Sequence, residues 1–275
     1  MKTYSEAELA AIHSIQLSIL SEIIRVCKEL SIIYVALFGT SLGAERHKGF
    51  IPWDDDIDIG MPRKDYELFL RMAPKYLRKG FHLSHFYSEK SATTYFIKIK
   101  KDGTSFIEKG EKKLNIHHGI FVDIFPIDKV PSDRRIIKKY KFRIKILNQL
   151  FSSKIFWTAP FYKGVKVKYI LSNFVRVLLH LCLLPVKRSF LFNILDREIK
   201  KYSKIENGCD TTISMKVFNE DILFPTKTSS FEGMMINVPN KNDEYLTLQY
   251  GNYQELPPLN LRHGHKPQHL DIGDN

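Results

Sequence analysis

Four aspartates fall within five positions, Asp54, Asp55, Asp56 and Asp58, and apolar residues hold them from both sides. Ile51, Pro52 and Trp53 precede the run, and Ile57 and Ile59 thread it. Carboxylates within about 4–6 Å of one another disfavour each other's ionisation, and a bound divalent ion removes that penalty. A solvated acidic loop is the alternative, but it needs no apolar anchors, so the run is expected to lie against a core. Ile57 and Ile59 alternate with Asp56 and Asp58, which reads as a short strand. On it Asp56 and Asp58 point to one face with Cβ atoms about 7 Å apart, and Asp55 points away, so the loss of Asp55 is expected to be the milder one.

Such a strand needs neighbours. Ser5 with Glu8 forms a capping-box pattern, and Leu9, Ile12, Ile15, Ile19, Ile23 and Val26 recur at helical spacing, which predicts a first helix over residues 5–30. Residues 32–38 read as a buried strand that stops at Gly39, with 40–44 turning away from it. Pro62 can start a helix running to about Leu77. Residues 94–100 and 104–107 bracket Asp102-Gly103, the strongest hairpin signal in the chain. A further strand over 119–125 ends at Pro126 and carries Asp123, placed to bring a third carboxylate beside Asp56 and Asp58. Three carboxylates of this kind suit Mg²⁺ or Mn²⁺ and two-metal phosphoryl chemistry, with Asp54 as a further ligand.

Other residues in these segments suit an anionic substrate. The small residues Gly39, Thr40 and Ser41 let backbone N–H groups approach a phosphate. Arg46, His47 and Lys48 offer the charge that a diphosphate demands. Lys98, Lys100 and Thr104 are further candidate phosphate contacts, the alternative being a solvated strand face.

At 275 residues the chain suits one catalytic domain with an elaborated middle and C-terminal part: a core over 1–133, a basic helical region over 134–205 and a part packing back over 206–275. The 44% apolar content excludes a disordered chain, apart from the tail after about Gln268. Residues 134–204 carry eighteen Lys or Arg against Asp196 and Glu198 alone, a net +16 that leaves −4 for the rest of a +12 chain. The basic part suits a polyanion or an anionic bilayer. Nucleic acid is not expected, because the stretch lacks interleaved aromatic stacking positions.

Residues 174–186 are apolar, but Arg176 and His180 interrupt them and Pro185 closes them, short of the roughly 20 residues of a bilayer span. They read either as an amphipathic helix at a membrane surface or as a core helix with a basic face. The first residues lack an apolar signal core, so the expected location is cytoplasmic, peripheral on the membrane. Cys27, Cys182 and Cys209 have no paired spacing and are expected to be buried free thiols.

Residues 37–63, LFGTSLGAERHKGFIPWDDDIDIGMPR, resemble the signature of the LicD/fukutin-like phosphotransferase family. Residues 119–126, GIFVDIFP, are similar to its second block, and 231–233, 238–240, 245–246, 250–253 and 256–258 to its C-terminal block. The resemblance implies an α+β fold with a nucleotidyltransferase-like mixed sheet core flanked by helices. It implies transfer of a phospho-alcohol, phosphocholine or glycerol or ribitol phosphate, from a CDP-alcohol donor to a glycan or lipid-linked oligosaccharide hydroxyl. Gly39 and Thr40 would then approach the donor diphosphate, Asp56 and Asp58 would hold Mg²⁺, and Asp123 would complete the carboxylate set. Arg262, His263 and His265 stand where members end in an Arg followed by paired His; here Gly264 splits the pair, and the two His are either donor contacts or surface residues. The rivals are nucleotidyl transfer releasing pyrophosphate and a glycan- or membrane-binding protein without activity.

Overall fold

The structure, a computed structural model, describes residues 4–156, 166–205 and 209–273, the side chains of 166–172 and 209 excepted. The chain begins with α1 (Glu6–Glu29), whose capping box closes as the pattern predicts: Ser5 Oγ accepts the Glu8 N–H at 3.1 Å, and the Glu8 carboxylate accepts the Ser5 N–H at 2.7 Å. By length and composition α1 could cross a membrane. Its apolar stripe of Ile12, Ile19, Ile23 and Val26 instead lies wholly buried in the main core.

Strand β1 (Val35–Ala36) is only two residues long, and α2 (Phe38–Arg46) starts almost at once. The expected strand to residue 38 and the turn after it are therefore replaced by a sharp strand-to-helix elbow. Phe38 adopts φ 44° there, and its N–H is taken by the Tyr245 hydroxyl at 3.1 Å. Gly39, Thr40 and Ser41 thus form the first turn of a helix. Next come β2 (Asp58–Pro62) and α3 (Arg63–Tyr76), which starts directly after Pro62 as expected.

β3 (Phe81–Ser84) and β4 (Ile97–Lys101) pair antiparallel. The Asp102-Gly103 turn forms, with Gly103 at φ 74°, but no hairpin follows, because β5 (Ser105–Ile107) leaves β4 for another partner. β6 (Phe121–Pro131) runs straight through Pro126 instead of ending there. Its pairs with β4 stop at Ile124 and its next antiparallel neighbour begins at Asp128, so neither ladder asks Pro126 for a donor.

The basic stretch is helical, as the pattern predicts: α4 (Arg134–Ser153), α5 (Lys166–Cys182) and α6 (Arg188–Ile199). β7 (Cys209–Ile213), β8 (Lys216–Phe218), α7 (Glu220–Leu223), β9 (Lys227–Phe231), β10 (Met234–Val238), α8 (Asn242–Tyr250) and β11 (His269–Asp271) complete the chain. β11 pairs antiparallel with β5, which corrects two expectations together. The tail beyond Gln268 is tied down, and the partner expected for β4 is taken by it.

The result is an α+β fold, with eight helices among the described residues around a mixed sheet of order β1-β2-β6-β4-β3, extended by β7 and β8 beside β6. β2 and β6 are parallel and the remaining neighbours antiparallel. Both faces are covered. Ile59 and Ile124 join the main core, whereas Leu37, Phe125 and Ile127 pack with Tyr245 and Leu246 of α8 on the other side. Burying a side chain of this kind is worth roughly 1.5–3 kcal/mol, and a one-residue slip would turn each to the wrong face, so this packing fixes the register of β2 on β6. A third cluster, with Phe151, Phe192 and Leu195, joins α4 to α6. Cys27 is buried as expected, but Cys182 is exposed at the end of α5; the Cys209 side chain lies outside the described residues.

Candidate active site

Asp58 on β2 pairs in register with Asp123 on β6, and Lys98 on β4 pairs with the same Asp123. Residues in register on adjacent strands share a face about 5 Å apart, so the ladder sets Asp58, Asp123 and Lys98 in one row across the sheet. Lys98 Nζ lies 3.0 Å from Asp123 Oδ1, off the line of a hydrogen bond, and donates to Oδ2 at 3.3 Å. It also lies 3.7 Å from Glu108 and 3.3 Å from the centre of the Phe121 ring. Burial would strip its proton, but Asp123 and Glu108 outweigh that and hold the Lys98 pKa above its ordinary value. Lys98 and Lys100 are both buried, which removes the solvated-face reading of this strand. Lys100 donates to the His117 carbonyl.

Asp54, Asp56 and Asp58 line a cleft of about 590 Å³. β2 begins only at Asp58, so strand alternation does not orient the residues before it. Helix α1 does: His13 Nε2 bonds the Asp54 carbonyl and Gln16 Nε2 donates to the Asp55 carbonyl, each at 2.7 Å. His13 stacks on Phe50 at 3.7 Å, and Gln16 is buried on the apolar stripe of α1. A glutamine four residues after Ile12 on that stripe was a readable signal of a buried polar task. Burial, then Asp56 and Asp55, push the Asp54 carboxyl up to about 8. Asp56 and Asp58 are raised too, first by burial; for Asp58 the charges of Asp56 and Asp123 add to it. Asp123 is raised to about 6 by burial against the pull of Lys98.

Asp55 is held quite differently. It is 2% exposed and accepts hydrogen bonds from the Tyr4 hydroxyl, from the His265 N–H at 2.9 Å to both oxygens, and from His265 Nδ1 at 2.9 Å. Burial would raise its carboxyl, but these bonds outweigh it and hold the group below its ordinary value. The bond to Asp55 in turn raises His265 to about 9. A Cβ on Gly264 would meet the Asp55 carboxylate at 2.6 Å, so the glycine that splits the two histidines is what lets this strap close on the aspartate. His265 lines the cleft, 3.5 Å from Asp56 Oδ2, whereas His263 is exposed and does not line it.

Of the remaining anion-binding candidates, Gly39 and Arg46 line the cleft. A side chain at Gly39 would run into the Asp54 carboxylate. Arg46 donates to the Tyr253 carbonyl, and the Arg262 guanidinium lies 5.0 Å over the ring of Trp53, which also lines the cleft. Thr40 Oγ1 accepts the Asp58 N–H at 2.8 Å and Ser41 donates to Asn242 at 2.7 Å, so both hydroxyls tie α2 to its neighbours. Lys48 is exposed outside the cleft. Thr104 also lies outside it, its hydroxyl held between the Lys101 carbonyl at 2.8 Å and the Ile120 N–H at 2.9 Å. The sequence reading missed Tyr4, His13 and Gln16 as supports and Phe38, Tyr250 and Tyr253 as cleft walls, since each meets the acidic run from far along the chain or through the elbow.

The model described as the LicD/FKTN/FKRP nucleotidyltransferase domain matches residues 31–150. Over 268 residues, 92% of this chain and 93% of the relative, the sequence is 30% identical to the lipopolysaccharide cholinephosphotransferase LicD of Haemophilus influenzae. The chain belongs to the LicD family. The LicD domain match contains the acidic run and the Asp58–Asp123–Lys98 row, whereas the His265 strap lies outside it. Two uncharacterized Rickettsia proteins are similar over shorter stretches. That of Rickettsia typhi is 35% identical over 105 residues, 38% of this chain and 31% of the relative. That of Rickettsia prowazekii is 34% identical over 110 residues, 38% of each.

The crowded charges have a thermodynamic consequence. Asp54 and Asp123 hold protons to about 8 and about 6 in the folded chain against an ordinary 3.8, and His265 to about 9 against 6.5. Each binds its proton more tightly folded than unfolded, so stability falls as pH rises through these ranges; Asp55, shifted down, loses its contribution only in acid. The thermal midpoint of the metal-free protein is expected to drop between about pH 5 and about pH 9, and Mg²⁺ to restore it chiefly at the alkaline end. A midpoint flat over that range would count against the crowding.

Proposed function

We propose that this protein transfers phosphocholine from CDP-choline to a hydroxyl of a glycan precursor and releases CMP. The observation that carries the reading is a single cleft in which Asp54, Asp56 and Asp58 meet Arg46, His265 and the aromatic walls Trp53, Tyr250 and Tyr253. Support comes from the near full-length similarity to a lipopolysaccharide cholinephosphotransferase. An acidic edge suits cations, guanidinium and imidazolium groups suit the diphosphate, and aromatic faces suit a quaternary ammonium.

The donor set fits a hard divalent ion, Mg²⁺ or Mn²⁺: all the groups are carboxylate oxygens whose ionisation burial and mutual repulsion oppose. Among the described residues no three metal-binding side chains already converge as a closed cage. Mg²⁺ characteristically keeps several waters and takes one or two carboxylates plus substrate phosphates, and Asp56 and Asp58 would be its holders here. When bound, the ion neutralises charge on the diphosphate oxygens.

The acceptor oxygen attacks the phosphorus that carries choline, the bond from that phosphorus to the bridging oxygen breaks, and CMP leaves with the electron pair. Asp54, which lines the cleft, receives the hydroxyl proton in its ionised form, which a cation beside it would favour. Asp123 does not line the cleft and is paired with Lys98, which suits a supporting place behind Asp58 rather than a ligand's. Arg46, His265 and Arg262 supply positive charge to the departing CMP. The acceptor is read as a glycan on its lipid carrier at the cytoplasmic face of the membrane.

Purified protein with Mg²⁺ and a panel of CDP-alcohols is expected to release CMP fastest from CDP-choline, and more so with a lipid-linked glycan present. Glycerol- or ribitol-linked donors working better would move the specificity. Pyrophosphate release from a nucleoside triphosphate, with CDP-choline inert, would replace the reading with nucleotidyl transfer.

A further inference from the structure

Helix α5 presents a row of large apolar side chains outward. Phe174, Leu178 and Leu181, spaced as one helical face, are 65%, 52% and 55% exposed, and Val175 beside them is 46% exposed. None of the described α5 side chains belongs to a core cluster, and its half-buried side carries Arg176 and His180 beside Val177 and Leu179, with His180 bonded through Nδ1 to the Ser153 carbonyl at 2.9 Å. A surface helix ordinarily keeps its large apolar residues inward and its charges in water, whereas here four large apolar side chains face out while an arginine is half-buried. Leu184 and Phe190 continue the exposed apolar surface past the helix, with exposed Lys187 between them. Single exposed apolar residues need no explanation, but a whole helical face of them marks an interaction surface.

Charge identifies what covers it. Residues 134–195 contain fourteen Lys or Arg and not one Asp or Glu. A second copy of this chain would bring two segments of the same sign together, whereas an anionic lipid surface matches both the sign and the apolar face. We infer that α5 lies in the plane of an anionic bilayer, with Phe174, Leu178 and Leu181 inserted among the acyl chains and the surrounding Lys and Arg on the headgroups. With 17 residues and a basic N-terminal end, α5 is short for a span and suited to lying flat. The inference is independent of the chemistry proposed for the cleft.

The test is co-sedimentation of the full-length protein with phosphatidylcholine vesicles containing rising fractions of phosphatidylglycerol, at low and high salt, with no nucleotide donor present. Binding should rise about tenfold or more with anionic content and weaken, without vanishing, in high salt. The double substitution Leu178→Glu with Leu181→Glu, on exposed positions, should lower that binding about tenfold or more. It should leave the thermal midpoint and CMP release with a soluble acceptor unchanged. Protein that stays in the supernatant at every lipid composition overturns the inference. So does vesicle binding untouched by the double substitution, which would make the attachment purely electrostatic, and so does a wild-type dimer that the same substitution dissolves, which would assign the face to a second copy.

Discussion

Asp58→Asn is expected to lower CMP release by at least roughly 10²–10³-fold, the scale of removing one preorganised electrostatic group, while leaving the metal-free fold as stable as before or more so. The two halves of this expectation share one cause. Asp58 is opposed in ionising by burial and by the charges of Asp56 and Asp123, so the amide relieves repulsion in the empty site. The same substitution removes the carboxylate proposed to hold the cation, whose negative charge becomes favourable only with that cation beside it. Turnover measured at saturating donor, Mg²⁺ titration by calorimetry and a thermal melt decide it together. Near wild-type turnover would refute the assignment of Asp58, and a lowered midpoint would show that the repulsion is not what the geometry implies.

The second large effect concerns Asp55, the carboxylate whose loss the sequence pattern predicts to be the milder one. Asp55→Ala is expected to cost about 2–3 kcal/mol of stability, discounted because the His265 side chain is half exposed. It should also raise the KM for the donor more than it lowers kcat. Asp55 gathers Tyr4 from before α1 and His265 from beyond the 3-10 turn Leu259–Leu261, so its loss frees the strap that brings His265 against Asp56 and the cleft. Urea unfolding gives the first number and steady-state kinetics the second. Faster proteolysis of the C-terminal segment in the variant would identify the strap as the part released. A variant that melts and binds donor like wild type would mean that the β11–β5 pairing alone seats the strap.

These two residues also mark how far the sequence reaches. The acidic run announces itself because four like charges with apolar anchors have few stable settings, and Asp123 is readable from its own apolar strand. Helix α1 is specified by a capping box of four residues and a repeating stripe, and the start of α3 by the fixed φ of Pro62, so both depend on neighbours along the chain. The basic, acid-free segment is likewise a property of composition.

Pairing at long range is what the chain order hides. Asp102-Gly103 makes its turn, yet β5 goes to β11, more than 160 positions away, because a turn can reverse the chain without deciding which strand edge the next residues find. Phe38 bends into α2 rather than extending β1 because Tyr245, over 200 residues later, accepts its N–H. Asp55 and His265, 210 residues apart, are joined by a strap that only the folded sheet can position. The outward face of α5 belongs to the same class: periodicity shows that the helix is amphipathic, but not which side the rest of the protein leaves uncovered. The sequence by itself determined the charged groups, the helices with local caps and stripes, and the segregation of acid from base. Tertiary structure alone decided which carboxylates face the cleft, which one became an anchor and which apolar face stayed in contact with solvent, because each depends on contacts between segments whose meeting no local pattern encodes.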